Sequence, residues 1–89
     1  MDPATLAKNL GITDKHVIGK ANEFSRLVQI RAPSGLGQGE LARGAACLLI
    51  ACKNKDIPFN KQKACVFCCT TQAQLISVTA MCQRLLGIK

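Results

Sequence analysis

The chain has 89 residues and a formal net charge of +7, from twelve Lys and Arg against five Asp and Glu. This length accommodates one small domain, so we predict a single domain over residues 1–89 and exclude two separate cores. Aromatic residues make up only 3% of the chain, which disfavours modules that stack unpaired bases, while the positive charge favours phosphate backbones or an anionic partner.

Two helices are predicted in the first third of the chain. The first runs from Pro3 to about Leu10, with Asp2 as its N-cap and Gly11 closing it. The second is capped by Thr13 or Asp14 and continues to about Arg31. Gly19 within it is expected to allow close packing against a neighbour. Its predicted apolar face consists of Val17, Ile18, Ala21, Phe24, Leu27, Val28 and Ile30.

A connector, Ala32 to Gly39, separates these helices from a third. Its glycines resemble those of phosphate-cradling loops, but no strand precedes them and no GK[ST] follows, so a linker is favoured. The third helix is predicted from Glu40 to about Asn54. Its segment from Gly44 to Cys52 is apolar on nearly every side, which predicts a central, surrounded helix.

The last third predicts two helices joined by a tight turn. Asn60 caps the first, after Pro58, and its expected buried face is Ala64, Cys65, Phe67 and Cys68. The turn falls at Cys69 to Thr71. Thr71 caps the final helix and Gln74 is placed to complete a capping box. The final helix carries a buried stripe and ends at Gly87; the stripe is Leu75, Val78, Cys82, Leu85 and Leu86, with Met81 beside it. The pattern predicts an all-α, five-helix bundle that ends in a helix-turn-helix.

Six cysteines lie between positions 47 and 82. A disulfide-stapled secreted fold is disfavoured because bridges there could not staple the first half of the chain. Cys65 and Cys68 have CxxC spacing, and Cys52, Cys82 or His16 could complete a zinc site, but this pair lies inside a predicted helix and has no second pair. A redox CxxC is disfavoured because it would need an electropositive helix start. We therefore expect buried core cysteines, no metal and no cofactor.

No stretch approaches the ~20 apolar residues of a membrane helix, and the first residues do not resemble a signal peptide. A soluble, intracellular protein is expected, with no contact to membranes. The single His16, expected at the surface, has no evident acid or hydroxyl partner, so we predict neither catalytic residues nor a small-molecule substrate.

The order of these elements resembles a known family. A short helix ending LGI is followed by KANEFSRLVQIR, the apolar GAACLLIACKN, then PFNKQKAC and a terminal RLLGIK. Together these pieces resemble the N-terminal cyclin-box-type domain of the sixth subunit of the origin recognition complex, over almost the whole chain. Such domains are similar to the repeats of transcription factor IIB. The chain departs from the family where a Ser-Gly-like turn is usual and Cys68-Cys69-Thr70-Thr71 stands instead.

This resemblance implies a non-enzymatic, nuclear protein that acts in initiation of DNA replication with the other origin recognition complex subunits. It also implies one domain of a longer chain. The resemblance further implies that the domain binds double-stranded DNA, chiefly through contacts with the phosphate backbone. The expected backbone contacts are Lys53, Lys55, Lys61 and Lys63, and the expected groove contacts are Thr71, Gln72 and Gln74. The alternative is a protein-interaction module with no direct DNA contact.

Overall fold

The structure, a computed structural model, describes residues 2–33, 35 and 37–87. These residues form five α-helices and one 3₁₀ helix, and no strand occurs within those ranges. The predicted all-α, five-helix architecture is confirmed. The helices are α1 (Pro3–Asn9), α2 (Lys15–Arg31), the 3₁₀ helix Gly37–Ala42, α3 (Arg43–Asn54), α4 (Lys61–Phe67) and α5 (Gln72–Leu86).

Side-chain caps start four of the five α-helices. Asp2 accepts the Thr5 N–H at 2.8 Å at the start of α1. Asp14, rather than Thr13, accepts the N–H groups of His16 at 2.9 Å and Val17 at 3.2 Å at the start of α2. Asn60 and Thr71 cap α4 and α5 in the same way. Each cap satisfies backbone donors that the first helical turn leaves without a partner, so the polar residues set these helix starts.

Helix α3 is the centre of the bundle, as predicted. All nine residues from Gly44 to Cys52 are buried. Helices α2 and α5 make its most extensive contacts, and α1 packs against both α2 and α3. An apolar helix with no polar face requires neighbours on every side, and this arrangement provides them.

Three expectations about α2 and α3 need correction. Helix α3 begins at Arg43 rather than Glu40, because residues 37–42 form a 3₁₀ helix and no side chain caps the start of α3. Ile30 is 66% exposed at the end of α2, so it does not belong to the buried face. Gly19 is exposed and a Cβ there would meet nothing within 4 Å, so no helix packs closely against it. Ser34 and Leu36 of the predicted connector lie outside the described residues.

Three helices end in the same C-terminal motif. In α1, Gly11 adopts a left-handed φ of 75°, while the Ile12 N–H bonds to the Ala7 carbonyl at 2.8 Å and the Gly11 N–H to the Lys8 carbonyl at 3.2 Å. These two bonds are the pair that defines a Schellman motif. Helices α3 and α4 repeat both bonds with Asp56 and Cys69 at the left-handed position. The turn conformation therefore does not depend on glycine.

Candidate nucleic-acid interface

Helices α4 and α5 meet at close to a right angle. Their axes differ by 97°, and residues 68–71 form the turn between them. A crossing of about 90–120° over a turn of three or four residues is the geometry of a helix-turn-helix. Within the described ranges, no single helix is long and apolar enough to cross a membrane; α4 and α5 reach that length and apolarity only when taken together across their bend.

Cysteine provides the left-handed residue of this turn. Cys69 has φ of 55°, its N–H bonds to the Val66 carbonyl at 3.3 Å, and the Thr70 N–H bonds to the Cys65 carbonyl at 3.0 Å. A non-glycine residue in this conformation costs roughly 1–2 kcal/mol because its Cβ crowds the following carbonyl. The tight turn between α4 and α5 thus forms without a glycine, at a cost in stability.

The three predicted groove residues have different roles at the start of α5. Thr71 accepts the Gln74 N–H at 3.1 Å through its hydroxyl oxygen. Gln74 accepts the Thr70 hydroxyl at 2.7 Å, so its side chain does not complete the predicted capping box with Thr71. Gln72, the first residue of α5, is exposed. Of the three, Gln72 is the amide best placed to reach an external partner.

The four predicted lysines are all exposed but do not form one cluster. Lys53 and Lys61 line the same groove beside α5. The volume of this groove is about 190 Å³. Lys55 lies 3.7 Å from the Asp14 carboxylate, at the start of α2. Lys63 lies on α4, away from its buried residues Ala64 and Cys65. The structure therefore brings Lys53 and Lys61 together and directs Lys55 elsewhere.

Three apolar residues of this region, Val66, Phe67 and Ile76, are more exposed than a core role allows. Phe67 is 39% exposed, so the prediction that it belongs to the buried face of α4 is wrong. Ile76 is 59% exposed and lines the groove of Lys53 and Lys61 together with Ala80 and Gln83. The sequence carried a signal for Ile76, because it falls outside the stripe of Leu75, Val78 and Cys82. Sequence reasoning did not use that signal.

The charge of this region is uniformly positive. No Asp or Glu follows Asp56, whereas four basic residues do: Lys61, Lys63, Arg84 and Lys89. Neither α4 nor α5 has an acidic residue in its first turn. An anionic partner would therefore meet no like charge on the described surfaces of these two helices.

The cysteines are mainly part of the core, as expected. Five of the six are buried, and Cys69 in the turn is exposed. Hydrogen bonding to Cys82 and burial raise the pKa of the Cys47 thiol, and burial raises the pKa of Cys52, Cys65 and Cys68. These four thiols stay protonated near neutral pH, so they are poor nucleophiles and poor metal ligands. Among the residues that the structure describes, no group of three or more His, Cys, Asp or Glu could hold a metal ion.

Comparison with known families gives one decisive match. The family model described as origin recognition complex subunit 6 matches residues 4–89 of the chain. The chain belongs to the origin recognition complex subunit 6 family. Its similarity to the origin recognition complex subunit 6 of Dictyostelium discoideum is 35% identity over 63 residues. That alignment covers 71% of this chain and 13% of the length of the Dictyostelium protein.

No solved structure matches the chain significantly. The suspected family is thus confirmed by sequence comparison, and the all-helical bundle is observed for this member of the origin recognition complex subunit 6 family. The likeness to cyclin boxes and to transcription factor IIB repeats stays a prediction.

Proposed function

We propose that this chain is a duplex DNA-binding module of an origin recognition complex subunit that acts in initiation of DNA replication. The observation that carries the proposal is the right-angled α4–α5 pair, with the exposed first turn of α5 and with no acid on either helix. Membership in the origin recognition complex subunit 6 family supports the biological setting. The role is binding rather than catalysis, it is exercised in the nucleus, and the partners are DNA and the other subunits of the complex.

The first turn of α5 is the element proposed to approach the DNA. Gln72 is its first residue, and Thr71 caps it from outside. The N-terminus of a fifteen-residue helix carries partial positive charge from its aligned peptide dipoles, which favours a phosphate there. An acidic residue in this turn would oppose that contact, and none is present.

The lysines at the start of α4 are proposed to hold the phosphate backbone on one side of α5. Lys61 and Lys63 are both exposed in the first turn of α4. Lys53 lies beside Lys61 at the shared groove, whereas Lys55 contributes less because its nearest partner is Asp14. Contacts of this kind position a protein on the duplex without reading its sequence, so we expect weak sequence preference.

A salt series with matched charge reversals tests this proposal. We expect the 89-residue chain to bind a fluorescent duplex at low salt, with affinity that falls steeply between 50 and 200 mM salt as measured by anisotropy. Lys63→Glu should weaken binding and lower the slope of log K against log salt by roughly 0.9 for the phosphate contact that is lost. A glutamate in the first turn of α4 interacts favourably with the helix dipole, so the variant should fold at least as stably as the parent.

Lys8→Glu is the control for that series. It makes the same change of charge on α1, which packs against α2 and α3. A local DNA interface predicts a much smaller loss for Lys8→Glu than for Lys63→Glu. Equal losses would indicate that only net charge matters, and an absence of binding at low salt would reject the DNA proposal.

A further inference from the structure

A groove lies between the end of α3, the start of α4 and the middle of α5. Its volume of about 190 Å³ is below the roughly 300–1,000 Å³ typical of small-molecule pockets, so it suits one or two side chains of a peptide better than a cofactor. The lining residues are Leu49, Lys53, Lys61, Ile76, Thr79, Ala80 and Gln83. They come from three consecutive helices of the chain.

The floor of this groove is apolar. Leu49 is buried at its base, and Ile76 is 59% exposed along its wall. The Thr79 hydroxyl donates to the Leu75 carbonyl at 2.7 Å, so its proton is already used within α5. When another apolar side chain covers an exposed isoleucine beside a preformed depression, the free energy falls because apolar surface is removed from water.

The polar groups of the groove are basic or neutral. Lys53 and Lys61 supply two ammonium groups from different helices, Gln83 supplies an amide, and no lining residue is acidic. A partner segment with carboxylates on either side of an apolar side chain would match both the charge and the floor. Duplex DNA would match the lysines but would leave Ile76 uncovered, because its backbone presents phosphates and sugars.

We propose that this groove docks a short acidic segment of a partner protein, with one aliphatic side chain seated between Leu49 and Ile76 and its carboxylates near Lys53 and Lys61. The site is distinct from the DNA surface in the residues that decide it. Ile76 serves only the peptide, Lys63 serves only the DNA, and Lys53 and Lys61 are shared between the two.

Nuclear magnetic resonance titration with a designed peptide tests the proposal. The probe is a twelve-residue peptide with one central leucine flanked by aspartates and glutamates. We expect it to shift the amide resonances of Leu49, Ile76 and Ala80 in the 89-residue chain. One control peptide replaces the leucine with serine, and the other replaces the acids with their amides; both should bind several-fold more weakly than the probe.

Matched variants separate this groove from the DNA surface. Ile76→Gln should weaken the probe peptide roughly fivefold, because about half of an isoleucine side chain would no longer be buried, while duplex affinity stays unchanged. Ile30→Gln makes the same substitution at an exposed residue of α2 and should change neither affinity. Lys63→Glu should weaken the duplex and spare the peptide.

Three results would overturn the docking proposal. The first is equal binding of the leucine and serine peptides, which would reduce the interaction to charge attraction alone. The second is an absence of shifts at the groove residues. The third is a loss of duplex affinity in Ile76→Gln, with duplex DNA shifting the same resonances, which would assign the groove to the nucleic acid.

Discussion

Helices α3 and α4 lie in opposite environments. Both contain alanine, cysteine and aliphatic residues, but three of the seven residues of α4 are Lys or Gln. Every residue of α3 from Gly44 to Cys52 is buried, whereas α4 buries only Ala64 and Cys65. Helix α3 is surrounded by α1, α2 and α5, whereas α4 contacts chiefly α5. Stability is therefore concentrated around α3, whereas most of α4 is exposed.

Helices α3 and α4 differ in burial, but their C-terminal ends are alike. Each helix ends in a Schellman motif with a non-glycine residue in the left-handed position, Asp56 after α3 and Cys69 after α4. The segment after α3 returns to the core through Ile57, which packs against it, whereas the segment after α4 leads directly into α5. The same motif thus ends a buried helix, α3, and an exposed helix, α4, where it leads into α5.

Truncation of one aliphatic residue in each helix should give the largest contrast between α3 and α4. Leu48 of α3 is fully buried, so Leu48→Ala should lower the free energy of unfolding by about 2–5 kcal/mol through lost burial and a cavity. Val66 of α4 is 73% exposed, so Val66→Ala should change it by less than about 0.5 kcal/mol. Urea denaturation measures both values. Equal losses would contradict the division of the molecule into a core around α3 and a surface around α4.

Relief of the backbone strain in the turn after α4 should have a smaller effect, and this effect should stabilise the protein. Cys69→Gly removes the Cβ that is crowded at a φ of 55°, but it adds flexibility to the unfolded chain. The expected net gain is about 0.5–1 kcal/mol in the free energy of unfolding. Cys69→Ala retains a Cβ in the same conformation and serves as the control, with no expected gain. A gain of the same size in both variants would locate the effect in the thiol instead of the backbone.

The Asp14 cap should make the weakest contribution, and one that depends on pH. The Val17 N–H lowers the pKa of Asp14, with further contributions from the His16 N–H and Lys55. A carboxyl whose pKa is lowered on folding stabilises the protein above its unfolded pKa of about 4, and this stabilisation is lost as the pH falls through the folded pKa. Asp14→Asn keeps a capping oxygen at every pH. The urea concentration at its unfolding midpoint should therefore fall less with decreasing pH than that of the parent.

Lys55→Gln is the matched variant for this comparison. It removes the 3.7 Å ion pair with Asp14 but leaves the cap in place. Because an exposed ion pair contributes little, the acid dependence of stability should persist in Lys55→Gln. Loss of that dependence in Lys55→Gln would assign the effect to the ion pair rather than to the cap.

Local signals in the sequence predicted the helices well where capping residues were present. Asp2, Asn60 and Thr71 each start a helix at the expected position, and Gly87 ends α5 with a left-handed φ of 70°. The start of α3 was predicted three residues early because no polar side chain marks it. The predicted burial of Ile30 and Phe67 was wrong because both lie near the ends of helices, where the periodic pattern continues but no neighbouring helix covers it.

The sequence by itself determined the helix starts that polar side chains cap, the central position of α3 and the family, because caps, periodicity and residue order are properties of the local chain. Only the tertiary structure decided which charged residues share a surface. Lys53, Lys55, Lys61 and Lys63 cluster in the sequence, yet α3 and α4 direct Lys53 and Lys61 to one groove with Ile76, while Lys55 meets Asp14. The physical reason is that the orientation of a side chain depends on how its helix packs against others, and local sequence does not encode that packing.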